Sequence, residues 1–589
     1  MLYVIEPECF TVQRRPERWF WPVRRQLLCS FVSGILDAFY LGSMQSGFES
    51  AACFHVMKHC FCCSRLFFAL ACASTYTLCA NLPYYRMLFF GNGIVCAKAL
   101  LLSFVYACAI SYGLSLFGRL GKVLFVLLAF TSGIVLYFSL MYGFAQNKEM
   151  FALLWNTNPH EALGVFSPKL LLFAGGGGIL GGLAARSMPE ERPGLRHGAE
   201  LMALVVICTM ARPLLPVELK GRHPMPLGYL SHFGHAVKQQ WRMRDMIAAR
   251  KELPGPVERE AGRSGPLYVI LALGESLRAD HLGIYGYGRN TTPRSEKLPL
   301  LIFERCYSAG AGTTESVTRM LTRATIASPE AALTEQSVIS LFRRAGFRTV
   351  WLTNQGSMAT GETWVASIAK ECELFRTHPS VYTIGGKLQD ADLLPMLDTV
   401  LTMPPQDTLI VLHSFGSHLN PEDRYADIFR IFSPVCDRFS VADCADEELV
   451  NSYDNSVLAT DAYWAGLTDR LKGLNALLLI TSDHGDRLRG KYRGHSPELM
   501  DNPALRWIPF MLYASPSIRQ DALLSGKLEH AKALRDQPIS HDMLFHSLLG
   551  FAGIHTPVYQ EDLDLFSGKA RPHRDPFVTL TGMEQTSPL

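Results

Sequence analysis

Ala476-Leu477-Leu478-Leu479-Ile480-Thr481 runs straight into Ser482-Asp483-His484-Gly485. An apolar run of this length, bounded by polar residues, predicts a buried strand. In an open α/β sheet, ligands and catalytic groups gather beyond the ends of parallel strands. A carboxylate beside an imidazole at that point offers one oxygen and one nitrogen to a divalent cation, a mixture that suits zinc. Asp-His dipeptides are also ordinary turn residues. The pair therefore gains meaning only if other strand ends supply further ligands and a nucleophile.

Four more strand candidates surround this one. Leu267–Leu273 ends in Gly274-Glu275-Ser276, and Arg348–Leu352 ends in Thr353-Asn354-Gln355. Thr408–Leu412 leads into His413-Ser414-Phe415-Gly416-Ser417-His418. Ile508–Tyr513 contains Pro509, which points to an edge position. Helical patterns such as Glu335–Arg344 and Val457–Leu471 fall between the strands. This alternation predicts a mainly parallel sheet with helices on both faces.

Three strand ends thus carry potential metal or phosphate ligands: Glu275, His413 or His418, and Asp483 with His484. Each alone is an ordinary turn carboxylate or solvated histidine, but their joint occurrence on one sheet is not. Glu275, Asp483 and His484 would leave a fourth coordination position open for chemistry. No Gly-x-Ser-x-Gly elbow or Cys-His pairing provides a nucleophile. The small polar run Ser308–Ser316 precedes a helical stretch, where a hydroxyl could be ionised by the metal and aided by the helix dipole. Thr313 or Thr314 would equally serve as a helix N-cap.

The remainder divides sharply in composition. At 589 residues, two or more domains are expected. Residues 65–215 are rich in Leu, Phe, Ala and Gly and nearly free of acids, whereas the chain after residue 262 is an ordinary globular mixture. A net charge of +3 without a Lys/Arg-rich block gives no case for nucleic acid. Five stretches reach the roughly 20 residues that a bilayer requires: Leu66–Phe89, Ile94–Phe117, Val123–Phe144, Leu170–Ala185 with its flanks, and Ala199–Leu215. Gly175–Gly178 in the fourth lacks the strand and Lys-Ser/Thr pair of a phosphate loop, so close helix packing is expected there.

Basic residues in alternate loops (Arg14 to Arg25; Arg119 and Lys122; Arg186, Arg192 and Arg196) put the N-terminus in the cytoplasm. Everything after residue 215 then lies outside it. Residues 1–64 read as a cytoplasmic or interfacial segment, with Leu27–Met44 interfacial or re-entrant and His55, His59, Cys60, Cys62 and Cys63 clustered before the first span. The long loop Asn147–Lys169, with Trp155, Thr157 and Glu161, is expected on the outer membrane surface. Residues 216–262, broken by prolines, read as a bridge along the membrane, 263–570 as the catalytic domain and 571–589 as a tail.

In order along the chain come Gly274-Glu275-Ser276 with Arg278, Gly312-Thr313-Thr314-Glu315-Ser316, His413-x-x-Gly-Ser-His418, Tyr453-Asp454-Asn455-Ser456, and Ser482-Asp483-His484-Gly485 with His495. This series, behind apolar spans, resembles the bacterial phosphoethanolamine transferases, inner-membrane members of the alkaline phosphatase/sulfatase superfamily. The resemblance implies an N-terminal helical transmembrane domain joined to a sulfatase-like α/β domain in the periplasm. It implies zinc on Glu275, Thr313, Asp483 and His484, one site, with a second at the substrate-bound stage. Matching Ser316-Val317 to the family's Ser-Val places Thr313 as nucleophile, and His418 and His495 as the histidines that hold the phosphoryl group or protonate the leaving group.

Thr157, Glu161, His413 and Asn354 are the expected substrate-binding residues. The implied donor is phosphatidylethanolamine, and the acceptor is lipid A, a core sugar or a periplasmic glycan. A membrane phosphoglycerol transferase or phosphohydrolase is the alternative, and a non-catalytic membrane scaffold a lesser one. A sulfatase is disfavoured, because the nucleophile segment lacks Cys/Ser-x-Pro-x-Arg.

The sequence also departs from the family. Positions that carry cysteines around the nucleophile in lipid A-modifying members are Ala309 and Arg319 here. Met358-Ala359-Thr360 stands where a lysine follows the Asn-Gln segment, and Leu153 where an asparagine precedes Thr157. Cys436 and Cys444 resemble a family disulfide, which leaves Cys306 and Cys372 as a candidate second pair. The chemistry is expected to be kept and the acceptor site to differ.

Overall fold

The structure, a computed structural model, describes residues 65–81, 93–141, 166–189, 193–211, 225–260, 265–356, 363–382, 387–418, 420–438, 441–490, 493–495, 500 and 502–572. Expectations for Leu27–Met44, the His55–Cys63 cluster, Leu153, Trp155, Thr157, Glu161, Met358-Ala359-Thr360 and the C-terminal tail beyond residue 572 lie outside them.

The apolar half forms α1 (Arg65–Thr75, continued by a π-helical turn to Ala80), α2 (Gly93–Ser115), α3 (Gly118–Met141), α4 (Pro168–Arg186) and α5 (Leu195–Ala211). Three of these contain stretches long and apolar enough to cross a membrane: Ala97–Ser115, Gly118–Met141 and Pro168–Arg186. Of the other two expected spans, Leu66–Phe89 continues past Asn81 outside the described residues, and α5 is described for 17 residues only.

Helices α3 and α4 approach through glycine. A Cβ on Gly133 would lie 2.2 Å from the Phe173 carbonyl oxygen, and one on Gly177 would lie 2.4 Å from that of Ala129. Gly181 is equally tight against the Ala129 side chain, whereas Gly175 and Gly176 face open space. Small residues thus serve close packing at particular positions of the run. Ser167 caps α4 through the Leu170 N–H, ahead of Pro168 in the first turn.

Within the bridging segment, α6 (Leu227–Ala248) is tied to the membrane half by Asn81, whose amide bonds both the carbonyl (2.9 Å) and the N–H (2.7 Å) of Met225. Beyond its end, Arg250 forms a buried 2.8 Å ion pair with Glu371 in the catalytic half.

The catalytic half is built on a seven-stranded sheet: β1 (Leu267–Gly274), β2 (Leu300–Ile302), β3 (Arg348–Thr353), β4 (Leu374–Thr377), β5 (Thr408–His413), β6 (Asn475–Ser482) and β7 (Phe510–Ala514), in the order β2-β7-β6-β1-β5-β3-β4. Strands β6, β1, β5, β3 and β4 pair in parallel, while β7 is antiparallel to β6 and to β2, so the sheet is mixed. Side chains alternate between two cores. Val269, Leu271 and Leu273 face one, and Tyr268, Ile270 and Ala272 the other. Burial on both faces explains why β1 and β6 read as unbroken apolar runs. The second core also takes in Tyr137 and Phe138 of α3, beside Val441 and the Cys436–Cys444 disulfide, and Lys169 pairs with Asp443. Membrane and catalytic halves therefore share packed side chains.

Register does the positioning. Gly274 pairs with Ser482, and Leu273 with both Thr481 and His413, while Thr353 also pairs with His413. The ends of β1, β3, β5 and β6 are therefore level.

Several expectations are corrected. Pro509 marks no edge: Trp507–Ile508 pairs with Cys306-Tyr307 in a separate three-stranded sheet and β7 begins at Phe510, so a residue without an N–H sits where the chain changes sheets. The helix expected at Glu335 starts at Val338 as α8 (Val338–Arg344), because Ser337 caps it through the Ile339 N–H. Val457–Leu471 is the second half of α9 (Asp446–Leu471). Cys306 and Cys372 are both free and buried: Cys306 lies in the small sheet, and Cys372 in the turn before β4. Burial pushes both thiols up.

The glycine contacts give a test. Gly177→Val should lower the thermal stability of the detergent-solubilised protein by about 1–3 kcal/mol through overpacking against α3, while Gly175→Ala leaves it unchanged; equal effects at both positions would refute the packing assignment.

Candidate functional site

The level strand ends bring the predicted ligands together. Glu275 follows β1, where Ser276 takes the left-handed conformation (φ 59°). Asp483 and His484 follow β6. Opposite them, α7 (Thr313–Met320) begins. Gly312 occupies its N-cap, so neither Thr313 nor Thr314 is the cap. That frees the Thr313 hydroxyl, which donates toward Glu275 with its Oγ1 3.0 Å from each carboxylate oxygen, and lies 3.3 Å from His484 Nε2. His484 Nε2 is 3.2 Å from Glu275 Oε1 and 3.4 Å from Asp483 Oδ2.

The ligand atoms are oriented from behind. His484 Nδ1 bonds the Gly485 carbonyl at 2.7 Å, which turns Nε2 into the site. Asp483 Oδ1 accepts from the N–H groups of Ser276 (3.1 Å) and His484 (2.7 Å). Its other oxygen, Oδ2, is buried without a hydrogen-bond partner. Gly485 allows this turn to press against the Ala504 carbonyl, 2.1 Å from where a Cβ would stand.

Two carboxylates in a dry site repel each other, and the titration behaviour reflects it. Burial opposes charge on Glu275, yet the hydrogen bond and charge of His484 hold its carboxyl well below the usual range. Burial and the negative Glu275 push Asp483 up. Burial disfavours an imidazolium at His484, but Asp483 and Glu275 overcome it and push this group up as well. The cluster therefore favours a positive charge at its centre. With an unpartnered carboxylate oxygen, a second carboxylate, an imidazole nitrogen and a hydroxyl converging, the residues fit a divalent cation that accepts mixed oxygen and nitrogen ligands. Potential ligand atoms of Glu275, Asp483 and His484 all lie within 4.8 Å of one another, as do those of Glu275, His418 and His495.

The second group places His418 and His495 at the mouth of the site. Their ring centroids are 5.5 Å apart, and the His495 ring lies 4.2 Å from that of His484. Burial pushes His418 down to about 4, against the pull of Glu275. His413 is fully buried at the end of β5, edge-on to Trp351 at 5.6 Å, and burial likewise pushes it down to about 4. Asn354, at the end of β3, donates 3.0 Å to the Gln389 carbonyl.

Sequence reasoning gave no supporting role to four residues that the structure places behind the site. Gln355, next to Asn354, donates to Glu275 Oε2 (3.2 Å) and to the Ser414 carbonyl (2.9 Å). His541, from the remote segment after Pro538–Ser540, accepts from the Ala309 N–H at Nδ1 and meets Thr481 Oγ1 at 3.1 Å through Nε2; Ser316 stands 3.3 Å from Nδ1. Gly416 (φ 54°) backs onto Glu275, whose carbonyl oxygen would lie 2.4 Å from a Cβ. Tyr453 links the motif around it to the site: its hydroxyl donates to the Ser276 carbonyl (2.7 Å) and accepts from the Arg278 N–H (2.9 Å). Gln355 stood at a strand end, and Gly416 and Tyr453 stood within the five motifs; only His541 offered no local signal. Across the segment that carries Thr313, the Arg319 guanidinium donates to the Ala309 carbonyl at 2.6 Å.

Known proteins match both halves. The family described as "Phosphoethanolamine transferase EptA/EptB" matches residues 104–214, and the Sulfatase family matches residues 268–554. The Escherichia coli K12 phosphoethanolamine transferase EptA is 27% identical over 480 residues, 77% of this chain and 86% of that protein. The Salmonella typhimurium Kdo(2)-lipid A phosphoethanolamine 7''-transferase is 28% identical over 347 residues, 56% of this chain and 60% of that protein. In fold, the integral membrane lipooligosaccharide phosphoethanolamine transferase A of Neisseria meningitidis superposes with a TM-score of 0.73 at 22% identity, covering 86% of this chain and 99% of that one. With both halves matched and the five motifs converging on one site, these likenesses support a phosphoethanolamine transferase of the alkaline phosphatase/sulfatase superfamily.

Proposed function

We propose that this protein takes phosphoethanolamine from phosphatidylethanolamine and passes it to lipid A, a core sugar or a periplasmic glycan, at the outer face of a bacterial inner membrane. The observation that carries this reading is the Thr313 hydroxyl, 3.0 Å from both Glu275 oxygens and 3.3 Å from His484 Nε2, at the head of α7. The named activities of the Escherichia coli and Salmonella relatives support the transferred group and an acceptor of the lipid A type. Glu275, Asp483, His484 and Thr313 would hold zinc. When bound, zinc lowers the pKa of a coordinated hydroxyl and offsets negative charge on phosphoryl oxygens.

The chain's own groups account for the two half-reactions. Thr313 loses its proton, with Glu275 as the nearest acceptor, and its Oγ1 attacks the phosphorus. The phosphorus–oxygen bond to diacylglycerol breaks as a new bond to Oγ1 forms, and the departing oxygen takes a proton from His418 or His495 at the mouth. In the second half, an acceptor hydroxyl gives its proton to the histidine left neutral and attacks the same phosphorus; the phosphorus–Oγ1 bond breaks and Thr313 takes its proton back from Glu275. Burial pushes His418 down, so it carries the proton it donates only while an anionic phosphoryl group lies beside it, and it is neutral again to accept the next one. Gln355 and Gly416 hold Glu275 in place throughout.

Thr313→Ala should cut transfer by about three orders of magnitude or more and abolish a covalent phosphoethanolamine increment on the protein, read by intact-protein mass spectrometry. An active Thr313→Ala protein would sink the assignment. Incubation with head-group-labelled phosphatidylethanolamine and, separately, phosphatidylglycerol should label the protein from the first only; label from phosphatidylglycerol would make it a phosphoglycerol transferase instead. Gln355→Ala should weaken metal retention by about ten- to a hundredfold, measured as zinc content against a graded chelator, and unchanged retention would remove Gln355 from the support of Glu275.

A further inference from the structure

Between His418 and α9, the segment Pro421–Pro434 crosses the outside of the catalytic half on a rigid footing. Asn455 Oδ1 accepts from the N–H groups of Ile431 (3.0 Å) and Phe432 (2.8 Å), and its amide donates to the Phe432 carbonyl (2.9 Å). Asn451 donates to the Pro434 carbonyl at 2.8 Å. Glu422 takes hydrogen bonds from both Tyr425 and Arg430. The aromatic rings are held by cations, Phe432 under Arg289 at 5.0 Å and Phe429 under Arg294 at 5.8 Å.

What this scaffold presents is apolar. Ile428 is 76% exposed and Ile431 65% exposed. Ile428 lies in the 3-10 turn Asp427–Phe429, and Ile431 follows two residues after the turn ends, its N–H also reaching the Phe429 carbonyl at 2.9 Å. Lys387 pairs with Asp427 of the same segment at 3.1 Å, and Arg430 pairs with Glu422. Apolar tips beside paired charged groups suit a segment lying in a lipid–water interface.

The neighbourhood commits the surface to a bilayer. The chain runs on from Ile431 to the Cys436–Cys444 loop, which packs in one core with Tyr137 and Phe138 of α3, and Asp443 of that loop pairs with Lys169 at the start of α4. The exposed isoleucines are thus continuous with the contact between the catalytic half and the ends of two apolar helices. We propose that Ile428 and Ile431 enter the headgroup region of the bilayer that α2, α3 and α4 cross. Arg424 on the same segment donates to the His418 carbonyl at 3.2 Å, so the contact seats the His418 side of the site at the lipid surface. This rests on the three helices crossing a membrane and is independent of the acceptor.

The test uses full-length protein in phosphatidylethanolamine/phosphatidylglycerol vesicles with benzoylphenylalanine at one position, irradiated and analysed for lipid adducts by mass spectrometry. Position 127 of α3, where Leu127 is 54% exposed, reports the spanning helix. Position 523, where Leu523 is 45% exposed, follows β7, whose Ala514 pairs with Leu477 at the opposite end of β6 from Asp483. Adducts at 428 and 431 should exceed those at 523 by roughly tenfold, as interfacial insertion requires. Adducts at 127 but not at 428 and 431 would overturn the contact and leave the spanning helices intact. No adducts at 127 either would overturn both. Equal labelling at 523, or crosslinks from 428 to a second copy of the chain, would also refute it.

Discussion

Two carboxylates are forced together in a dry place, and much of the catalytic half exists to hold them there. Glu275 and Asp483 close neighbouring parallel strands, so their separation is set by the β1–β6 register and not by loop adjustment. A one-residue slip of either strand would turn its buried side chains to the other face and carry its carboxylate with it. The repulsion between the two is offset in the structure by one imidazole, His484, which both carboxylates push toward its charged form. A site with this charge balance is poised for a cation, and a hydroxyl sharing its centre becomes the group that such a cation would activate.

The support is organised in layers that start from different parts of the chain. Gln355 comes from β3, Gly416 from the turn after β5, Tyr453 from α9 and His541 from the C-terminal third. Each fixes a backbone or side-chain atom adjacent to a ligand. The Tyr453-Asp454-Asn455-Ser456 motif takes on a structural meaning in this light. Tyr453 braces the Glu275 turn, Asp454 gathers His281, Tyr287 and Arg289, Asn455 carries the Ile431 segment, and Ser456 bonds Ser417 at 2.8 Å. One helical turn therefore couples the ligand turn, the His418 turn and the exposed isoleucines.

The legible parts of the sequence were those with local cause. Strands buried on both faces announce themselves as apolar runs, and Glu275, Asp483 and His484 follow immediately after such runs. Thr313 was reachable from its place before a helix, although the cap is Gly312. Illegible were features decided by tertiary contact. The reversal of β7 depends on pairing with β2, a three-residue strand that carries no signal of its own. His541 lies more than two hundred residues from the Ala309 and Ser316 atoms it meets. Spacing could not separate a disulfide at Cys436 and Cys444 from free thiols at Cys306 and Cys372; the one pair bridges a short loop, and the other two cysteines belong to different packed elements.

Ala309 and Arg319 stand where the resemblance to lipid A-modifying transferases implies cysteines, which bears on how Thr313 is held. A disulfide there would tie the strand before Thr313 to the far end of α7 covalently. Here the same two positions are joined by the Arg319 guanidinium donating to the Ala309 carbonyl, and the Ala309 N–H is taken by His541. Ser308 closes the segment further by donating to the Gly310 carbonyl at 2.7 Å, and Gly310 itself lies so close to Ser316 that a Cβ would stand 2.8 Å from its N–H nitrogen. A partly buried charge-assisted hydrogen bond adds to what holds such a loop once the surrounding core is formed. Unlike a disulfide, it gives no constraint on the unfolded chain. The fixed position of Thr313 in this protein is thus a property of the folded catalytic half as a whole, with a hydrogen bond and not a disulfide joining positions 309 and 319.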